Sequence, residues 1–135
     1  MPKVKVLIVD DEKEFAITLA ERLNIRGFET SAVYCTEDAL ALIHAKNIPD
    51  VVLLDLKMPR MDGMETLAEI KKYNPAIEVI MLTGHGSGIL LAGIDRGKHG
   101  AFDCVMKPAD INELTVKINQ AMAKRQLALK RGEGE

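Results

Sequence analysis

Five short apolar runs, each closed by a polar residue and followed by an amphipathic or glycine-rich stretch, constrain this chain more than any other feature. Residues 4–9 (VKVLIV) form a β-rich run stopped by Asp10 and Asp11, which predicts a buried strand. Over 12–26, Phe15, Leu19 and Leu23 recur four apart beside Ala16 and Ala20, a helical stripe with Gly27 suited to its stop. Residues 28–34 (FETSAVY) alternate and predict a second strand. Thr36 is placed to cap a helix through Ala39, Leu40, Leu42 and Ile43. Pro49-Asp50 then breaks the chain before VVLLD at 51–55, the most apolar run of all. Met64, Leu67, Ala68 and Ile70 mark a third helix, ended by Asn74-Pro75. Residues 77–82 and 101–106 read as strands four and five. Asp110 with Glu113 resembles a capping box opening a last helix, whose stripe is Leu114, Ile118, Ala121 and Met122.

The segment 84–100 is weaker. It holds six of the ten glycines, and each interior glycine costs a helix about 1 kcal/mol against alanine. A fourth helix around 89–96 is therefore expected to be weak. Two phosphate-loop readings fail here. Gly84, Gly86 and Gly88 give G-x-G-x-G after strand four, and Gly97-Lys98 lacks the glycine at Ala92 and the hydroxyl at His99.

Strands alternating with helices predict an α/β fold, a parallel sheet covered on both faces. Such sheets work beyond the carboxyl ends of their strands. The residues closing the strands are Asp10-Asp11, Asp55, Thr83 and Lys107-Pro108. Three acids, a hydroxyl and a lysine thus converge on one edge. Two like charges 4 Å apart repel by about 4 kcal/mol at an effective dielectric of 20. One lysine leaves the set net negative, so an acid holds a proton or a cation enters. All-oxygen ligands suit Mg2+ or Mn2+, and a lysine and a hydroxyl beside such an ion suit a phosphoryl group. Taken singly, an acid such as Asp11 reads more readily as a helix cap than as a site residue.

Composition narrows the alternatives. A chain of 135 residues with 47% hydrophobic and 28% charged residues buries about two-thirds of its unfolded surface and needs no staples. The net charge of −2 argues against direct nucleic-acid binding by this chain. Cys35 and Cys104 give no disulfide framework and read as reduced thiols of a cytoplasmic protein. No apolar run approaches the ~20 residues of a membrane span, and MPKVKVLIVDDE reads as a strand, not a signal peptide. Lys124, Arg125, Lys130 and Arg131 read as a solvated basic helix end, or as a linker toward an output domain.

Asp10-Asp11, Asp55 within DLKMPRMDG, Thr83-Gly84 and Lys107-Pro108 together resemble the receiver domain of bacterial two-component response regulators, over about residues 4–122. The resemblance implies a flavodoxin-like doubly wound five-stranded parallel sheet in the order 2-1-3-4-5 with five helices. It divides the chain into a receiver at 1–122 and a basic helical extension and tail at 123–135. The length is then used up by receiver and tail. By resemblance, Asp55 accepts a phosphoryl group from a sensor histidine kinase or histidine phosphotransfer protein. Asp11, Asp55 and the backbone carbonyl of Lys57 ligate Mg2+, with Asp10 acting through water. Lys107 pairs with the carboxylate and then with phosphoryl oxygens, and Thr83 donates to them. Gly84 leaves access, Pro59 and Gly63 shape the loop after strand three, and Pro108 follows a cis bond. His85 and Lys57 occupy positions that tune dephosphorylation. The face of the fourth helix, fifth strand and last helix serves output and homodimerisation. The module assists its own phosphorylation and has no external turnover substrate.

The sequence departs from that pattern in two places. Cys104 stands where the family carries Tyr or Phe, and it reads as a small buried apolar residue. Phe102, two residues earlier, is expected on the same strand face. The spacing from Thr83 to Lys107 is also wider than the family's, the surplus falling in GIDRGKHG. These departures warrant a rival, a degenerate receiver acting as a constitutive protein-interaction module. A metal-dependent phosphatase is disfavoured because Lys57 stands where its second acid would be.

Overall fold

The computed structural model describes residues 3–56, 63–84 and 100–132. The strands are β1 (Lys5–Val9), β2 (Glu29–Val33), β3 (Val51–Asp55), β4 (Glu78–Thr83) and β5 (Asp103–Met106). The helices among the described residues are α1 (Lys13–Ile25), α2 (Thr36–His44), α3 (Gly63–Tyr73) and α4 (Ile111–Lys130). The sheet is parallel, in the order β2-β1-β3-β4-β5. This is the doubly wound α/β sheet expected. The weak helix expected at 89–96 lies outside the described residues, as do Lys57, Pro59, His85 and His99.

Why the central strands β1, β3 and β4 are mostly apolar follows from the two layers. Val6, Ile8, Val51, Leu53, Ile80 and Leu82 join Ala16, Leu19 and Leu23 of α1 and Leu114, Ile118 and Ala121 of α4 in one cluster. Leu7, Val9, Val52, Leu54, Val79 and Met81 join Ala39 and Ile43 of α2 and Leu67 and Ile70 of α3 in the other. Alternate residues of a strand face opposite layers, so both sets must be apolar. Leu53 and Leu54 are fully buried on opposite faces. Truncating either to alanine is expected to cost about 2–5 kcal/mol.

Helix ends hold the layers in place. Asp110 caps α4 by accepting from the N–H of Asn112 and Glu113 at 2.9 and 3.3 Å, as its spacing suggested. Thr36 departs from the expected cap. Cys35 takes that position, and Thr36 is the first helical residue, buried, its hydroxyl 2.8 Å from that of Thr66 on α3. Phe102 also departs from expectation. It precedes the paired residues of β5, so strand alternation does not govern it. It packs with the α1–α4 layer, while Cys104 packs with the α2–α3 layer.

Helix α4 runs unbroken to Lys130, and its buried residues include Arg125 and Ala128. Arg125 is therefore not part of a solvated end. Its Nε bonds Asp50 Oδ1 at 2.9 Å at the amino end of the sheet. No helix among the described residues is long and apolar enough to cross a membrane.

Candidate functional site

The carboxyl ends of the strands carry the site. Asp10 follows β1, Asp55 ends β3, Thr83 ends β4 and Lys107 follows β5. The central β1-β3-β4 pairing sets these ends side by side, with Asp55 opposite Leu82 in register. Asp10, Asp55 and Thr83 are buried, and Asp11 is exposed at the mouth. Carboxylate oxygens of Asp10, Asp11 and Asp55 all lie within 4.8 Å of one another.

Two backbone devices build this geometry. Asp10 Oδ1 accepts the N–H of Glu12 at 2.9 Å, which holds the carboxylate at the start of α1. Gly63 opens α3 against the end of β3, its N–H donating to Leu56 O at 2.8 Å. A Cβ there would lie 2.5 Å from Asp55 O and 2.7 Å from Leu56 Cα, so only glycine allows this approach. At Gly84 a Cβ would meet nothing within 4 Å, which leaves that side of the site open among the described residues.

Lys107 enters from β5, and the Lys107-Pro108 bond is cis, as expected. Its Nζ lies 2.7 Å from Asp10 Oδ2, a buried ion pair. It lies 3.7 Å from Asp55 Oδ1. Burial pulls the lysine pKa down, but the carboxylates of Asp10, Glu12 and Asp55 outweigh it and hold the ammonium above its ordinary value. Burial pushes the Asp10 carboxyl up, against the pull of Lys107 and the Glu12 N–H. The Thr83 hydroxyl is buried without a hydrogen-bond partner among the described residues.

These residues fit a divalent cation. The donors are all oxygen, as hard cations require. One oxygen from each acid already lies within 4.8 Å of the other two, close enough for a shared cation to draw them together. The charge also fits, because among the described residues Lys107 pairs with Asp10 and Asp55 and leaves the acidic triad net negative. The acidic triad is consistent with the divalent-metal site typical of receiver domains.

Sequence reasoning named Asp10, Asp11, Asp55, Thr83 and Lys107, and all five occupy this edge. Lys57 lies outside the described residues. Two neighbours were missed. Glu12 Oε1 lies 2.5 Å from Lys107 Nζ, and the Phe15 ring centroid lies 4.6 Å from it. Both read as plain residues of the first helical stretch. The available signal was a glutamate at a helix start, where Ser, Thr, Asp and Asn are the favoured caps. Cys104 is half-buried, and burial raises its thiol pKa, which matches a packing residue.

Comparison with known proteins places these features. The family model of the response regulator receiver domain matches residues 6–119. The transcriptional regulatory protein ZraR of Salmonella typhimurium is 36% identical over 121 residues, 90% of this chain and 27% of that protein. The regulatory protein AtoC of Escherichia coli is 34% identical over 120 residues, 87% of this chain and 25% of its own length. The chain thus spans about a quarter of the length of these curated relatives. A receiver domain protein from Clostridium thermocellum superposes with a TM-score of 0.83 at 35% identity, covering 92% of this chain and 98% of that one. NtrX from Brucella abortus superposes with a TM-score of 0.86 at 30% identity, covering 97% of this chain and 30% of that one.

Proposed function

Since the chain belongs to the response regulator receiver domain family, we propose that it is a phosphorylation-driven switch whose phosphoacceptor is Asp55. As a receiver domain it is a two-component signalling module and not a turnover enzyme. The observation that carries the reading is the convergence of Asp10, Asp11, Asp55 and Lys107 at one sheet edge.

The chemistry follows from what each residue offers. An Asp55 carboxylate oxygen attacks the phosphorus of a phosphohistidine on a sensor kinase or phosphotransfer protein. The P–N bond breaks, its electron pair stays on the imidazole, and an acyl phosphate forms on Asp55. Asp10, Asp11 and Asp55, with the Lys57 carbonyl by resemblance to the family, would hold Mg2+ or Mn2+, which when bound would neutralise charge on the phosphoryl oxygens. Lys107 supplies a further positive charge to those oxygens. Thr83, with its hydroxyl uncommitted, donates to a phosphoryl oxygen and couples the phosphate to β4. The altered surface then passes the signal to an output domain or partner, or to a second copy through the face of β5 and α4. Residues 1–122 form the receiver and 123–135 its extension, in a cytoplasmic protein.

Cys104, standing where the family carries an aromatic, favours the second reading of a constitutive interaction module. Intact mass after incubation with acetyl phosphate and Mg2+ separates the two. A phosphate-sized gain in wild type, absent from Asp55→Asn, is expected. No gain in either protein would favour the constitutive module.

A further inference from the structure

Lys107 has more partners than phosphoryl chemistry requires. Its ammonium is 2.5 Å from Glu12 Oε1, 2.7 Å from Asp10 Oδ2 and 3.7 Å from Asp55 Oδ1. The Phe15 ring, 4.6 Å away, borders the same position. Thus residues 10, 12 and 15, all at the junction of β1 and α1, hold the lysine of β5. The carboxylate of β3 is the farthest of the three acids.

Glu12 reaches Lys107 because it forgoes a local role. It occupies the N-cap of α1 and makes no side-chain cap hydrogen bond. Its own N–H is taken by Asp10 Oδ1. A helix start that gives up its cap while its side chain contacts a reactive lysine breaks a local rule, and such breaks cluster at functional sites.

We propose that Glu12 is a positioning residue for Lys107: it holds the ammonium on the β1 side of the cleft and sets how readily Lys107 transfers to a phosphoryl group on Asp55. The proposal rests on the reading of Asp55 as phosphoacceptor. Its physical basis is competition for donors. An ammonium has three N–H groups, and two close carboxylates draw on them before Asp55 does. A phosphoryl group brings strongly charged acceptors to Asp55, and Lys107 engages them fully by loosening its hold on Glu12. Asp10 is fully buried and cannot exchange its partner for water. The Glu12 side chain is 64% exposed and can, so it is the contact that gives way. Glu12 therefore sets a threshold, and Asp10 an anchor.

The test uses beryllofluoride with Mg2+ as the phosphoryl mimic, with affinity read from amide chemical shifts. Glu12→Gln keeps the shape and removes the charge, and it is expected to bind about threefold more tightly, the scale of an exposed ion pair. Glu14→Gln removes the same charge from the first turn of α1 and is expected to match wild type. In a Lys107→Met background, Glu12→Gln is expected to change nothing. The Lys107 ammonium resonance is expected to shift in Glu12→Gln without any ligand, a readout independent of phosphorylation and of the Lys107→Met fold. Equal gains for Glu12→Gln and Glu14→Gln would reduce the effect to a general field and overturn the proposal. So would an unshifted lysine resonance, or an effect that survives loss of Lys107. If wild type neither binds the mimic nor gains phosphate on Asp55, the parent reading fails and takes this inference with it.

Discussion

The two edges of this one sheet handle charge in opposite ways. At the carboxyl edge, Asp10, Glu12 and Asp55 gather around Lys107, with Asp11 beside Asp10 and Asp55. At the amino edge, Asp50 and Glu78 meet Arg125, Lys71 and Lys124. Glu78 opens β4 and Asp50 immediately precedes β3, so both clusters draw on the same strands. The amino edge supplies its own positive charge, and its contacts join α3 and α4 to the sheet. Among the described residues the carboxyl edge is short of positive charge, which suits it to the cation and phosphoryl group proposed for it. Neutralised charge fastens the fold, and unneutralised charge makes a site.

The largest expected effect tests that division directly. Chelating divalent cations is expected to abolish phosphate uptake by wild type, with recovery on adding Mg2+, measured by intact mass. Asp11→Asn is expected to raise the Mg2+ concentration needed by about tenfold, because one of few carboxylate ligands is lost. Arg125→Met, at the other edge, is expected to leave that requirement unchanged. A Mg2+ requirement that moved equally with Arg125→Met would break the comparison.

Next in size is Gly63→Ala. The added Cβ meets backbone at 2.5 Å, which no side-chain rotation relieves. A loss of about 3 kcal/mol in urea unfolding is expected, at the upper end for overpacking. Arg125→Met should follow, at about 2 kcal/mol, since it strands Asp50 without its ion-pair partner. That cost falls below the usual one for breaking a buried pair, because Asp50 keeps the Lys5 N–H at 2.8 Å and is 18% exposed.

How far each edge could be read from sequence follows from the range of the interactions. Apart from Glu12, the carboxyl edge was legible because its residues sit at strand ends, and a parallel sheet brings strand ends together. The apolar runs marked β1, β3 and β4 because both faces of these strands are buried, so nearly every residue carries the signal. The amino edge was not legible. Arg125 sits in a basic run that looks solvated, and its partner Asp50 lies 75 residues away. Thr36 looked like a cap because threonine at a helix start usually is one, but burial against Thr66 decided otherwise. Glu12 was lost because its partner, Lys107, comes from the far end of the chain. Local pattern marks where strands end, and it cannot say which distant charge a long side chain will meet.

The smallest effect is a pH dependence confined to the amino edge. Burial pushes the Glu78 carboxyl above its ordinary value, and the nearby charges of Lys71, Lys124 and Arg125 pull it back only in part. Among the described residues one of its oxygens, Oε1, lacks a hydrogen-bond partner, with Lys124 Nζ at 3.5 Å. A carboxyl with a raised folded pKa binds its proton more tightly folded than unfolded. Its contribution is full below the unfolded value and is lost as pH rises through the folded one. Wild type is therefore expected to lose stability relative to Glu78→Gln as pH climbs from 4 toward neutrality, measured by urea unfolding at each pH. The gap between the two proteins should widen upward, not downward. A gap that widened on acidification would mean that the three cations dominate over burial. The amino edge would then be a tighter ionic lock than its desolvated glutamate indicates.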